Sequence, residues 1–519
     1  MLDAARDIEA PQSTPMPDTL FRAADGDDNS SMVSFRSASA RRMTWWQLGC
    51  VAFTFTAGGP FGLEAAVRAG GPLVALSALL AMPLIYVIAQ IVIVVEMATM
   101  MRSNHGSVRW VQEAFGNGIG FFNAMTNVPA NLIDAGVYPT LFTSYLVKAF
   151  IPAATHYERI GLCLACIWVG TGVALISATA VGNFTSAFTF VILIPFAVAV
   201  IAGFHYVTWE KISNPHAIYA PNQEANYGTL LSTLLWMFTG WRSLGSLGGE
   251  VRSPKDFLLG LFAALVIGEA LYFFPLLVAL AVPCPGGHRA WSSGYLVVAF
   301  DGVLHGLGKA IAAAGAIANL GLFASAMLVY PRTMWGVADK GWLPVIIKRQ
   351  SKAGTPWVAV LIHAAAASVM SLFDFTVLVR MEMLIAAPSY IMSVWCLARL
   401  RWTKPDAGRP FKWPKSFAGS VVLVSIPSVV FVANFALNIK SWYLVVAALS
   451  VHASIIAAYF VLRWHRNREA AKLLANSAAP PTAAAPPTMP VVDRAAVINE
   501  STSLVAAAPI SSIIKVSQV

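Results

Sequence analysis

Between residues 44 and 466 the chain alternates long apolar stretches with short polar ones. About twelve apolar stretches can be delimited, near 45–66, 73–99, 114–147, 160–179, 184–207, 228–249, 257–282, 295–330, 356–373, 376–399, 417–437 and 442–463. Each is close to or longer than the roughly 20 residues that a helix needs to cross a bilayer. The pattern predicts an all-α polytopic membrane protein with about twelve transmembrane helices. Two stretches run long, and such spans usually tilt or include a re-entrant or interfacial part.

The ends read differently. Residues 1–43 are polar, with "DGDDNSSMVSFRSASARR", and are expected to form a disordered tail. Residues 467–519 turn to "AAPPTAAAPPTMPVVDRAA", an Ala/Pro-rich tail of low complexity with little to pack. No amino-terminal signal peptide is legible, so the first apolar span is expected to direct insertion itself.

Composition agrees with a bilayer as solvent. Of the 519 residues 57% are hydrophobic and 12% charged, about half the charge of a soluble domain. Mean hydropathy is +0.66. The net charge of +10 is not a nucleic-acid footprint, because the basic residues sit in short runs between apolar stretches and no patch interleaves them with aromatics. Arg36, Arg41 and Arg42 precede the first span, Arg102 and Arg109 follow the second, and Arg252 and Lys255 follow the sixth. Further runs follow the eighth (Arg332 to Lys352), the tenth (Arg399 to Lys415) and the last (Arg463, Arg466, Arg468). With twelve spans all these runs share one side, and the positive-inside rule puts both termini in the cytosol. The sequons at Asn29, Asn183 and Asn499 then face the cytosol and stay unglycosylated.

The five cysteines form no framework; Cys163 and Cys166 lie in the apolar "GLCLACIWVG" and read as small buried hydrophobes. No P-loop, GxSxG, HExxH or paired Cys/His set marks an enzyme, and no filter motif marks a channel. No cofactor or metal site is expected.

The first span contains an anomaly. "FTAGGPFGLEAAVRAGGP" places Gly58, Gly59, Pro60, Phe61 and Gly62 inside an apolar helix, with Glu64 just beyond. Glycine and proline are poor helix formers, and backbone that leaves helical geometry at membrane depth survives only where it is buried or lines a cavity. Unwinding frees carbonyls and amides for a ligand, and transporters built from inverted repeats use two such breaks at matched positions. The sixth span supplies the second in "LLWMFTGWRSLGSLGGE", with Gly240, Trp241 and Arg242 at its centre. Trp241 is expected to be a wall or gate.

Intramembrane acids are functional candidates by default. Asp134 lies deep in the third span between Pro129 and Pro139, and Glu64 one turn past the first break. Glu96 is expected near an interface, Glu250 in a pair with a basic loop residue, and Glu269 and Glu382 in structural pairs.

"GGPFGLEAAVRAGG" at 58–71 and "IDAGVYPTLFTSYL" at 133–146 resemble the polyamine-transporter branch of the amino acid–polyamine–organocation superfamily. "GGEVRSPKD", "YPRTMWGVADKGWLP" with "GTP", and "LRWTKPDAGRPFKWP" resemble the cytosolic loops of that superfamily, and the resemblance covers roughly 45–465. It implies a LeuT-like fold of five plus five inverted-repeat helices, broken in the first and sixth, with two more at the end. It also implies a plasma-membrane secondary transporter that imports polyamines of the putrescine and spermidine class by proton symport. By position the substrate would meet both breaks, Glu64, Asp134 and Tyr390 of the tenth span, with Glu64 or Asp134 carrying the proton. Some members carry a lysine on the fifth helix; this one has none. Sodium is the other coupling ion to consider, with Ser325 as a hydroxyl ligand.

One position departs from the branch. Where its members are expected to carry Trp-Asp, this chain has Trp241-Arg242. A cation there would repel a diamine and suit a substrate carboxylate, or else it neutralises Asp134 or Glu64 as a structural pair. Two alternatives follow: a permease for cationic or neutral amino acids, and a transceptor that binds without transporting.

Overall fold

A computed structural model describes residues 43–101, 106–176, 192–208, 210, 225–283, 287–352 and 354–478. Most of both tails, Arg102, the three sequons and Cys284 lie outside the described residues. The described chain is helical, and its one β-type contact is an isolated bridge between Met43 and Val251. Among the described residues, seven helices are long and apolar enough to cross a membrane.

The first span is two helices. α1 (Trp45–Thr56) starts where the Gln47 side chain accepts the Thr44 backbone N–H at 3.0 Å, and α2 is Leu63–Gly70. Between them Gly59 holds φ +116° and Gly62 φ +96°, a region that side-chain-bearing residues rarely visit. α3 (Pro72–Met100) runs unbroken through one π turn at Pro83–Val87. α4 (Gly106–Phe115) is a separate helix before α5 (Asn117–Phe150). α5 stays continuous through Pro129 and Pro139, so the prolines that flank Asp134 do not break it.

α6 (His156–Ile176) follows, and the described part of the fifth predicted span is α7 (Ile192–Tyr206). The sixth span breaks as the glycines predict. α8 (Tyr227–Met237) is capped by Asn226, whose side chain accepts the Thr229 N–H, and it stops before Gly240 at φ +98°. The chain resumes as a 3₁₀ stretch, Trp241–Gly249. α9 (Pro254–Ala281) then packs along α1.

The long eighth stretch resolves into α10 (Tyr295–Asp301) and α11 (Leu307–Asp339). α12 (Trp357–Met370), α13 (Phe375–Thr403) and α14 (Phe417–Leu437) follow. The last helix, α15 (Trp442–Ala478), passes residue 466 without interruption. The chain divides into two units at Phe460/Val461, and the second is represented among described residues by the helical stretch 461–478. In the first unit α5 is central, with α11, α12 and α13 against it.

Two acids away from the cavity have these surroundings among the described residues. Glu96 is wholly buried, because Arg401 of α13 reaches back to it with two hydrogen bonds of 2.9 and 2.5 Å and Arg409 lies 3.5 Å away. Glu250 forms no ion pair among the described residues; its backbone carbonyl instead accepts the Met43 N–H at 2.8 Å.

Candidate substrate site

Between the two breaks lies a cavity of about 120 Å³, room for on the order of ten water-sized positions. Its wall combines the first break (Gly58, Gly59, Phe61), the second (Thr239, Gly240, Arg242), and side chains from α5, α8, α9, α11 and α13. Of the residues singled out in the sequence, Gly58, Gly59, Phe61, Asp134, Gly240, Arg242 and Tyr390 are brought together on it. Pro60, Gly62, Glu64 and Trp241 are not part of the lining.

Asp134 is the most heavily hydrogen-bonded carboxyl of the cavity wall. Trp236 donates its indole N–H to Oδ1 at 2.7 Å, Tyr138 donates its hydroxyl to Oδ2 at 2.7 Å, and the Tyr330 hydroxyl also donates to Oδ2. Three donors from three helices hold one carboxylate, with aromatic rings on every donor. Glu382 of α13 lies within hydrogen-bonding reach of Asp134. Glu382 lines the cavity too, and its Oε2 is buried without a partner.

Arg242 is held without an acid. Its guanidinium donates to Ser389 Oγ at 2.8 Å, Ser393 Oγ at 3.3 Å and Asn127 Oδ1 at 2.9 Å. It lies over the Tyr390 ring, 4.0 Å from the centroid, within cation–π range. Of the two alternatives for Arg242, a pairing with Asp134 or Glu64 is not found: those carboxylates are occupied by other donors, and neutral oxygens of α5 and α13 hold the guanidinium.

Glu64 has a different task. It is fully buried. It accepts the Gly62 N–H at 2.8 Å, the Gly294 N–H at 3.1 Å and the Tyr145 hydroxyl. One carboxylate thus ties the break to α5 and to the turn before α10. Trp241 is buried with its indole N–H unpartnered, and the wall position expected for it is taken by Trp236. Ser325 sits on the wall with its hydroxyl donating to the Gly321 carbonyl at 3.0 Å.

Sequence reasoning missed Tyr138, Trp236 and Tyr330. Tyr138 stands one turn from Asp134 and was accessible from helical spacing. Trp236 and Tyr330 come from distant helices, and nothing in their local sequence marks them.

Helices broken around a buried, polar, charged cavity define a membrane transporter for a small molecule. A family model described as amino acid permease matches residues 43–451. The chain belongs to that family, within the amino acid–polyamine–organocation superfamily. It is 30% identical to the polyamine transporter RMV1 of Arabidopsis thaliana over 402 residues, covering 75% of this chain and 79% of that one. It is 29% identical to the polyamine transporter PUT1 of Oryza sativa subsp. japonica over 422 residues, covering 80% and 76%. The serine/threonine exchanger SteT of Bacillus subtilis is 24% identical over 294 residues, 54% of this chain and 64% of that one. The chain is thus an integral membrane transporter and not an enzyme.

Proposed function

We propose that this protein imports polyamines of the putrescine and spermidine class across the plasma membrane, by proton symport with alternating access. In this reading twelve helices form five plus five inverted repeats and two more, with both termini in the cytosol. The observation that carries the substrate assignment is Asp134, a buried carboxylate ringed by Tyr138, Tyr330 and Trp236 with Glu382 beside it. An ammonium group is matched there by the carboxyl groups of Asp134 and Glu382. The unwound backbone at Gly58 and Gly59, on the cavity wall, supports carbonyl contacts to the rest of a slender amine. Two relatives that cover most of the chain are named polyamine transporters.

Arg242 supports a second reading. It is a cation in the same cavity that forms no ion pair among the described residues, with Glu382 the acid close enough to feel its charge, and a substrate carboxylate would match it. An amino acid would then span Arg242 and Asp134.

Uptake of labelled putrescine, spermidine and arginine into transporter-deficient cells, with and without a protonophore, separates the readings. Protonophore-sensitive diamine uptake supports the first. Entry of amino acids alone, abolished by Arg242→Asp, supports the second. Binding without accumulation of any of them would sink both and leave a transceptor.

A further inference from the structure

Proton symport requires a group that binds a proton in mid-membrane and is not already committed. Glu64 and Asp134 each have three protein donors, Glu382 has its Oε2 unpartnered but lies within hydrogen-bonding reach of Asp134, and Glu96 is held by Arg401. Glu269, on α9, differs from all of them. Both of its carboxylate oxygens are shielded from solvent and neither has a hydrogen-bond partner among the described residues. The helix around it is apolar, with a mean hydropathy of 2.2. An ionised carboxylate without donors in such a place is costly, and binding a proton removes the charge.

Its position relates it to the first break. Glu269 stands one turn before Tyr272, whose hydroxyl donates to the Thr56 carbonyl at 3.3 Å. Thr56 is the last residue of α1, and both it and Tyr272 line the cavity. The neighbouring Gly268 lies so close to the break that a Cβ there would stand 3.1 Å from that of Ala57. Glu269 therefore stands on the turn of α9 that packs against the first break, without being part of the cavity wall.

No described neighbour pairs with the Glu269 carboxylate. Tyr272, on the same helix, is the titratable group that senses Glu269. The elements packed on α9 bring Cys50, Tyr86, Glu96, His205, Tyr206, Tyr295 and Asp301. None of them gives the Glu269 carboxylate a hydrogen bond or an ion pair.

We propose that Glu269 carries the coupling proton. The carboxylate takes one proton from the outer side when the site is open there, forming a neutral carboxyl beside the break. It returns that proton to the cytosol after the site has turned inward, so one proton accompanies each cycle. This assignment rests on the proton-symport reading above.

The test uses the full chain and Glu269→Gln, purified into liposomes, with whichever of putrescine, spermidine or arginine the natural chain exchanges. Glu269→Gln keeps the shape and removes the titration. Exchange against internal substrate at equal pH is expected to stay within about twofold of natural, a shift of under half a kcal/mol. A one-unit inside-alkaline gradient sustains up to about a tenfold accumulation per coupled proton. The natural chain is expected to approach that ratio, and Glu269→Gln to stay near unity. Glu269→Asp, which retains a carboxyl, is expected to keep part of the response. Accumulation by Glu269→Gln equal to natural overturns the assignment. So does loss of exchange together with accumulation in both variants, since the residue is then only structural. A natural chain that exchanges substrate but ignores the gradient removes the symport reading, and this assignment with it.

Discussion

The guanidinium of Arg242 lies 4.0 Å from the centre of the Tyr390 ring and is held there by Ser389, Ser393 and Asn127. A cation in a cavity proposed for diamines is thus anchored by neutral groups, and its charge is directed at the contents of the site.

The first prediction follows from that anchoring. Arg242→Gln keeps an N–H donor for Asn127 or Ser389 and removes the charge. Repulsion between two unit charges several ångströms apart in a partly wet cavity amounts to about 1 kcal/mol or more. The putrescine KM is expected to fall by about fivefold, read from initial rates of labelled uptake. A rise in KM would mean that Arg242 assists binding, as the amino acid reading requires.

Asp134→Asn is expected to have the opposite effect. It removes the anion that the ammonium meets and leaves Trp236, Tyr138 and Tyr330 competing for one acceptor oxygen. Truncating one partner of a buried charge pair costs about 2–5 kcal/mol. The putrescine KM should rise at least about 30-fold, a loss of ~2 kcal/mol, with unchanged amounts of protein in the membrane. Near-natural uptake would place the amine elsewhere.

Gly59→Ala tests the break itself. At φ +116° a side chain is strained, and its Cβ would stand 2.4 Å from the Phe61 ring. Strain of this kind costs roughly 1–3 kcal/mol, and Phe61 belongs to the cavity wall. Transport is expected to fall more steeply than thermal stability in detergent, because the distortion enters the site directly.

Glu64→Ala should behave in the reverse manner. The Gly62 and Gly294 N–H groups and the Tyr145 hydroxyl lose their common acceptor. Each buried unpartnered donor costs about 1–3 kcal/mol. A large drop in melting temperature is expected, with the KM of whatever protein survives close to natural. A selective KM effect would move Glu64 into the binding site.

The ion pair between Glu96 and Arg401 gives a double-variant test. Both side chains are buried, and removing one partner leaves an uncompensated charge worth about 3–5 kcal/mol. Glu96→Leu and Arg401→Met are each expected to lower the melting temperature. Combining them should recover part of the loss, whereas additive losses would show that the two residues act through other neighbours.

Some of this was legible in the chain and some was not. The helical, membrane-spanning character follows from the length of the apolar stretches, since backbone polar groups in lipid must be satisfied within the helix. Both breaks were visible too, because Gly59 and Gly240 are residues that tolerate positive φ and Gly58-Gly59-Pro60 cannot sustain a helix. Asp134 was marked by the cost of an acid in an apolar segment. Partnership was another matter. That Glu64 seals a break while Asp134 faces the cavity depends on Tyr145, Gly294, Trp236 and Tyr330, brought from far along the chain. Arg242 settles on neutral oxygens, and Glu269 is left with nothing, for the same reason. Hydropathy and backbone preference are local properties and are written in order along the sequence. Which donor reaches which carboxylate depends on how helices pack, and only the folded chain decides it.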